Sequence, residues 1–146
     1  MNRTEFLKTC GAACLGGSML SPLLTGCAAS MAITANVIGS DLILPESEFE
    51  FLKNDKVQFR SYRVVQNDQL EYPVCVYRLA PHTYSALWMR CSHQGTELQA
   101  FGDKLHCPAH GSEFNQRGGV TNGPAADALR TFSVAVVDGQ LQISLK

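Results

Sequence analysis

Two short segments of the chain carry the residues best suited to bind a metal, CSHQGT at 91–96 and CPAHGS at 107–112. The first segment offers the thiol of Cys91 and the imidazole of His93. The second offers the same two groups on Cys107 and His110. Two soft and two borderline ligands on loops that contain glycine or proline are a typical metal-site composition. The spacing therefore predicts one metal site to which both loops contribute.

The sequence around these loops is typical of short strands and turns. Three runs rich in β-branched and aromatic residues, at 57–65, 72–79 and 83–90, are separated by polar or proline-containing breaks. Near the C-terminus, Asp138-Gly139 predicts a two-residue hairpin turn, and Leu141 and Ile143 alternate with polar residues. Since no window after residue 40 shows a helical period, we predict an all-β domain of stacked antiparallel sheets.

Both metal-binding segments fall at strand ends in this prediction. Cys91 directly follows the run at 83–90, and the stretch 97–106 is typical of a hairpin that turns at Gly102-Asp103. Cys107 follows the second strand of that hairpin. The hairpin would therefore bring the two loops side by side at one tip of the domain.

Length, charge and composition limit the functions that such a site could serve. The chain has 146 residues and a net charge of −1, which suits one compact domain and leaves no basic surplus for binding nucleic acid. No Ser-His-Asp or paired-carboxylate arrangement is evident, so the sequence does not indicate catalysis by side chains. Cys75 lies in an apolar run, which indicates a buried thiol that acts as a small hydrophobic residue.

Two kinds of metal centre could use two cysteines and two histidines. A structural zinc site is one, although such sites usually take both cysteines from one loop and both histidines from another. Here each loop contributes one Cys and one His. Mixed loops suit a binuclear centre, in which one iron takes both thiolates and the other takes both imidazoles.

The two loops resemble the paired cluster-binding boxes of the Rieske [2Fe–2S] family. The likeness covers about 91–145 and, more loosely, the strands from 57; within it, the segment 114–129 is similar to the family segment whose Gly-Pro-Ala turn packs over the cluster. The resemblance implies a Rieske-type sandwich with a two-loop tip that holds one [2Fe–2S] cluster. It implies four ligands, and a hydroxyl that donates toward a cluster sulfide; these residues are Cys91, His93, Cys107, His110 and Ser112.

The sequence departs from the quinol-oxidising members of that family at three positions. Those members carry a further Cys in each box, and the two form a disulfide, whereas Thr96 and Ala109 stand here. A family Tyr is replaced by Phe114, which has no hydroxyl to donate. One lost hydrogen bond of about 1 kcal/mol corresponds to about 40 mV, so we expect a reduction potential below the top of the Rieske range.

The N-terminus is typical of an export signal. Arg3 and Lys8 precede an uncharged stretch, and LLTGC at 23–27 resembles the lipobox of bacterial lipoproteins. We therefore predict a signal peptide at 1–26, a lipidated N-terminus and linker at 27–42 with the lipid on Cys27, and a Rieske domain at 43–146. The alternative is an uncleaved N-terminal anchor helix. Either one places the domain in the bacterial cell envelope, membrane-anchored on the extracytoplasmic side.

Together, the resemblance and the export signal predict a one-electron carrier whose partners are redox proteins such as a cytochrome. Such a chain is an electron-transfer component of an oxidoreductase system rather than a stand-alone catalyst. It would serve as the iron–sulfur subunit of a quinol-oxidising complex or of a periplasmic oxidoreductase system. A ferredoxin component of a ring-hydroxylating oxygenase is the alternative that the absent disulfide favours and the export signal disfavours. A structural zinc-binding domain is the second alternative. His106, next to Cys107, is a candidate extra ligand or proton relay, although such a residue more often faces solvent.

Overall fold

A computed structural model describes residues 31–146, and its regular structure is almost entirely strand. A single 3₁₀ helix is found in these residues, at Glu46–Phe49. The fifteen strands are β1 Ala32–Thr34, β2 Asn36–Ile38, β3 Asp41–Pro45, β4 Glu50–Lys53, β5 Lys56–Phe59, β6 Tyr62–Gln66, β7 Val74–Ala80, β8 Thr83–Trp88, β9 Gln99–Phe101, β10 Lys104–His106, β11 Glu113–Asn115, β12 Val120–Asn122, β13 Thr131–Phe132, β14 Val134–Val137 and β15 Gln140–Ser144. The predicted all-β fold class is confirmed.

The strands form four sheets. The central sheet has five strands in the order β1-β6-β7-β8-β13, antiparallel except for the parallel pair of β1 and β6. A four-stranded sheet, β14-β15-β3-β2, packs on one face of it, and a second, β12-β11-β10-β9, lies toward the other face. Strands β4 and β5 pair only with each other. The arrangement is a stack of antiparallel sheets with the central sheet in the middle.

Side chains along the central strands point alternately to the two faces of the sheet, and this produces two hydrophobic cores, one on each face. In β7 four consecutive residues are buried, because side chains of one parity enter one core and those of the other parity enter the second. Val74 and Val76 join what we call the basal core, with Leu42, Phe49 and Ile143 among its other members. Burial of these side chains joins the central sheet to the β14-β15-β3-β2 sheet.

The opposite core lies on the side of the metal-binding loops, and we call it the loop-side core. Cys75 and Tyr77 enter it from β7, and Leu105 and Phe114 enter it from the β12-β11-β10-β9 sheet. All four are fully buried. The thiol of Cys75 is therefore part of the packed interior, as the apolar run around it predicts. The same core contains Cys91 and Cys107, so the metal-binding loops are anchored on packed apolar side chains.

Two hairpins confirm the turn predictions. Strands β9 and β10 pair around Gly102-Asp103, and β14 and β15 pair around Asp138-Gly139. Asp138 and Gly139 both have positive φ, at 50° and 72°, as the mirror-image turns of tight hairpins require. The local sequence therefore determines both hairpin registers.

The structure differs from the sequence prediction at the start of the domain. Residues 32–38 lie in the predicted linker, but they form β1 and β2, which pair with Val64 to Gln66 of β6 and with β3. Residues 32–38 therefore belong to the sheets of the domain rather than to a linker. The predicted strand at 57–65 is also split, at Arg60 and Ser61, into β5 and β6.

The predictions for the signal peptide and for lipid on Cys27 lie outside the described residues. Within residues 31–146, no helix has the length and apolarity needed to cross a membrane.

Candidate metal centre

The first metal-binding loop closes just beyond the end of β8. Arg90 forms an isolated antiparallel bridge with Glu97 across its base. Inside that bridge, the N–H of Cys91 donates to the carbonyl of Thr96 at 2.8 Å, and the N–H of Gly95 donates to the carbonyl of Cys91 at 2.8 Å. Gly95 adopts φ 78°, a conformation that glycine reaches without strain. The six residues therefore form one compact turn.

The second loop, which follows β10, repeats this hydrogen-bond pattern. The N–H of Cys107 donates to the carbonyl of Ser112 at 2.8 Å, and the N–H of Gly111 donates to the carbonyl of Cys107 at 3.0 Å. Gly111 adopts φ 79°. The two loops thus share the same turn, with Cys in its first position and Gly with positive φ in its fifth. Their hydrogen-bond pattern could not be read from the ligand spacing, which differs between them.

The histidines occupy different positions in this shared turn. His93 is the third residue of its loop and His110 is the fourth, yet their ring centroids lie 5.0 Å apart with an interplanar angle of 88°. His110 is exposed and His93 is half-buried. Nδ1 of His93 is buried and has no hydrogen-bond partner. Such an orphaned nitrogen is the kind of atom that a metal would satisfy.

The two loop cysteines are buried, and each is only 1% exposed. No disulfide joins any cysteines among residues 31–146. The thiol of Cys91 donates a hydrogen bond to the sulfur of Cys107, so the two sulfurs are adjacent.

Electrostatics distinguishes the two thiols. Burial raises the pKa of Cys91, and its hydrogen bond to the sulfur of Cys107 raises it further. Burial also opposes ionisation of Cys107, but hydrogen bonds from the Ala109 amide, the Cys91 thiol, the His110 amide and the Thr96 hydroxyl outweigh burial and lower its pKa. Amide and hydroxyl donors aimed at a sulfur stabilise the thiolate, which is the form that binds metal.

Ser112 is fully buried and its hydroxyl is held in place. The N–H of Ala125 donates to Oγ of Ser112 at 3.0 Å. Because Oγ serves there as the acceptor, the hydroxyl hydrogen remains available for donation. This arrangement fits the role that the Rieske resemblance implies for Ser112.

A third segment, at 120–129, connects the two loops. Its contacts include that Ala125–Ser112 hydrogen bond, a 2.6 Å bond from Oγ of Ser92 to the carbonyl of Asp127, and a 3.0 Å bond from Nδ2 of Asn122 to the carbonyl of Gly111. The Gly123–Pro124 peptide within it is cis. Sequence reasoning identified the Gly-Pro-Ala turn but not Ser92, Asn122 or Asp127, since only the folded contacts identify these residues.

The remaining candidate, His106, is directed toward another group. Its Nδ1 lies 3.7 Å from Oε1 of Glu113, which also accepts a 2.6 Å hydrogen bond from Lys104. That hydrogen bond lowers the pKa of Glu113. His106 therefore belongs to a charged surface cluster on β10 and β11.

The four donors form two like pairs, a pair of thiols and a pair of imidazoles. Among residues 31–146, no group of three or more Cys, His, Asp or Glu side chains is arranged to coordinate a single metal ion. The paired donors, the thiolate-stabilising amides and the orphaned His93 nitrogen fit a binuclear cluster with two sulfur and two nitrogen ligands.

The family model described as "Rieske [2Fe-2S] domain" matches residues 47–133. The chain therefore belongs to the Rieske [2Fe–2S] family, as its two loops predict. Its cofactor is a single [2Fe–2S] cluster of the Rieske type.

The chain is similar to chloroplastic iron–sulfur subunits of the cytochrome b6-f complex. It is 28% identical to that of Triticum aestivum over 133 residues, which cover 86% of this chain and 55% of the relative. It is also 28% identical to that of Pisum sativum over 145 residues, with 92% and 58% covered. The chain thus spans somewhat more than half the length of these relatives.

Among solved structures, the plasma membrane Rieske protein PetC3 of Synechocystis PCC 6803 shares the fold. The TM-score is 0.51 at 26% sequence identity, with 57% of this chain and 86% of that chain covered.

Proposed function

We propose that the chain transfers single electrons outside the cytoplasmic membrane, with Cys91 and Cys107 ligating one iron of the cluster and His93 and His110 ligating the other. The observation that carries this proposal is the pairing of like donors: two buried, adjacent thiols, and two neighbouring imidazoles of which one is half-buried and one exposed. When bound, such a cluster accepts and releases one electron. The more exposed imidazoles provide the shorter route to a partner protein.

The chain's residues also affect the reduction potential. Two neutral imidazoles in place of two thiolates remove two negative charges from the ligand set, so adding an electron is less unfavourable than at an all-cysteine site. The Ser112 hydroxyl adds a donor that favours the reduced state. We expect a potential above that of plant-type ferredoxins.

Low-temperature electron paramagnetic resonance of the dithionite-reduced protein, with iron, sulfide and zinc assays, tests the ligand assignment. We expect a rhombic signal of low average g and two irons per chain. Cys107→Ala should abolish the signal. Cys75→Ala, which removes another buried thiol outside the loops, should retain it. A silent wild-type spectrum with one zinc per chain would instead identify a structural zinc site.

The proposed location rests on the LLTGC sequence that precedes the described residues. We propose that lipid on Cys27 tethers the domain to the outer face of the cytoplasmic membrane. Mass spectrometry of the membrane-extracted protein should detect acyl groups on Cys27 and no residues 1–26, and Cys27→Ser should block both changes. An intact N-terminus would support the uncleaved anchor helix instead.

The proposed partner is a cytochrome-containing quinol-oxidising complex, since the named relatives are subunits of the cytochrome b6-f complex. The absent loop disulfide favours a second candidate, a ferredoxin component of a ring-hydroxylating oxygenase. Activity assays on membranes from a strain that lacks the chain distinguish these two candidate partners. Loss of quinol-driven cytochrome reduction supports the complex, whereas unaffected cytochrome reduction with lost oxygenase activity supports the ferredoxin.

A further inference from the structure

The side chain of Arg90, the residue just before the first metal-binding loop, packs against that loop. A Cβ on Gly95 would lie 3.0 Å from Nη2 of Arg90 and 3.3 Å from both Cζ and Nε. The guanidinium therefore occupies the space that a side chain at position 95 would need. Glycine at this position allows both the positive φ of the turn and the close approach of Arg90.

Two aromatic rings hold the guanidinium in this place. Cζ of Arg90 lies 5.7 Å from the ring centroid of Trp88 and 6.0 Å from that of Tyr72, and the two rings meet edge to face at 5.4 Å. A planar guanidinium stacks well on aromatic faces. Glu97 lies opposite Arg90 across the base of the loop, yet no ion pair within residues 31–146 involves Arg90. Ring contacts, rather than a carboxylate, therefore orient this side chain.

The turn that Arg90 packs on directs three successive amides toward Cys91. The amides of His93 and Gln94 donate to the sulfur of Cys91. The next amide, that of Gly95, donates to the carbonyl of Cys91 at 2.8 Å. Amide donors to a ligand sulfur stabilise its negative charge and so favour the reduced state of a cluster. The side chain of Arg90 thus supports the part of the loop that carries these donors.

The second loop has the same turn without this support. A Cβ on Gly111 would meet no atom within 4 Å. The carbonyl of Gly111 instead accepts a 3.0 Å hydrogen bond from Nδ2 of Asn122. The contact with Arg90 is therefore specific to the first loop.

We propose that Arg90 is a positioning residue for the cluster: its guanidinium, held by two aromatic rings, packs on Gly95 and keeps the amide donors of the first loop directed at the sulfur of Cys91. The inference rests on the proposed ligand assignment and extends it to a residue that binds no iron. Loss of the guanidinium should lower the reduction potential and speed the loss of the cluster. The planar group supplies the support, so a lysine in its place should not restore either property.

Redox titration of the full, cluster-containing chain, followed by electron paramagnetic resonance, tests this role. Arg90→Gln and Arg90→Lys are compared with Arg130→Gln. Cζ of Arg130 lies 5.5 Å from the same Trp88 ring, but its guanidinium donates to the carbonyl of Leu145 at 3.0 Å, away from the first loop in sequence and in its contacts. We expect a lower potential in both Arg90 variants and a potential close to the wild-type value in Arg130→Gln. At a fixed temperature the visible absorbance of the cluster should disappear about 2- to 5-fold faster in the Arg90 variants, the factor that corresponds to one exposed cation–π contact.

A double-mutant cycle tests the contact itself. Gly95→Ala places a Cβ where the guanidinium lies, so it should speed cluster loss by a smaller factor in an Arg90→Ala background than in the wild type. Gly111→Ala, which also replaces a glycine of positive φ but meets no atom within 4 Å, should speed cluster loss by the same factor in both backgrounds.

Four results would overturn the inference: an unchanged potential in Arg90→Gln, full restoration by Arg90→Lys, an equal shift in Arg130→Gln, or additive effects of Arg90→Ala and Gly95→Ala. The second and third would show that positive charge alone is responsible. The wild-type sample identifies which proposal fails. A wild-type chain with one zinc and no cluster signal refutes the ligand assignment and, with it, the inference, whereas a cluster-containing wild type with an unaffected Arg90→Gln refutes the inference alone.

Discussion

Under the proposed ligand assignment, Ser112 is the residue whose hydroxyl we expect to affect the cluster most directly. It accepts from the Ala125 amide and keeps its own hydrogen free. Ser112→Ala removes one donor that favours the reduced state, worth about 1 kcal/mol, so the midpoint potential should fall by about 40 mV. A redox titration followed by electron paramagnetic resonance measures the shift.

Ser92→Ala is the matched control for that experiment. The hydroxyl of Ser92 already donates to the carbonyl of Asp127 at 2.6 Å, so its loss should leave the potential close to the wild-type value. Equal shifts in both variants would show that loop packing, rather than the Ser112 donor, determines the effect.

Cys75 should make the protein sensitive to alkaline pH. Burial raises its pKa to about 12, compared with 9.0 for the ordinary thiol, although a hydrogen bond with Tyr77 lowers it slightly. Above pH 9 the unfolded chain loses this proton while the folded chain keeps it. The contribution of Cys75 to stability is therefore complete below pH 9 and is lost as the pH rises toward 12.

Urea unfolding at a series of pH values from 8 upward tests this linkage. Cys75→Ala should be less stable than wild type at every pH because it leaves a cavity, but its alkaline decline should be shallower. Parallel declines in the two proteins would contradict the assignment.

At the scale of elements, the shared loop turn depends on glycine in its fifth position. A Cβ on Gly111 would meet no atom within 4 Å, so Gly111→Ala changes only the backbone preference, at a cost of about 1–2 kcal/mol for φ 79°. We expect faster loss of the cluster's visible absorbance on heating, because the strain falls on the turn that holds Cys107 and His110.

Gly102→Ala provides the control for this element. Gly102 also has positive φ and open space, but it forms the far turn of the β9–β10 hairpin. Its replacement should lower the free energy of unfolding by a similar amount while leaving cluster loss slow at temperatures where the protein is folded. Equally fast loss in both variants would mean that global stability controls cluster retention.

Elements with local turn chemistry could be predicted from the sequence, and those that depend on distant partners could not. Gly102-Asp103 and Asp138-Gly139 determine their own hairpins. Residues 32–38 lack a strong alternating pattern, and they become strands because β6 and β3 provide edges for them. At the site, the two Cys-His boxes indicate four candidate ligands, whereas the matching hydrogen bonds around Cys91 and Cys107 appear only in the fold.

At the scale of the whole molecule, Phe49 links the 3₁₀ helix to the basal core. It is fully buried, and its ring centroid lies 5.1 Å from that of Tyr84. Phe49→Ala should lower the free energy of unfolding by about 3–5 kcal/mol, measured by urea denaturation. Because the basal core lies across the central sheet from the loops, the reduction potential of the folded protein should stay unchanged.

Phe59→Ala is the control for this core position. Phe59 is 47% exposed on the β4–β5 hairpin, so in detergent-free solution its loss should change stability far less than the loss of Phe49 does. A changed potential in folded Phe49→Ala would show that the two cores are mechanically coupled.

The order of the strands along the chain has a consequence for how the protein is made. The loops and the segment that connects them lie between β8 and β13, and β13 pairs with β8 while β15 pairs with β3. A ribosome therefore releases Cys91 and Cys107 before the strands that complete their supporting sheets exist. Because β13 completes the central sheet that supports the loops, that support is assembled only after β13 has been synthesised.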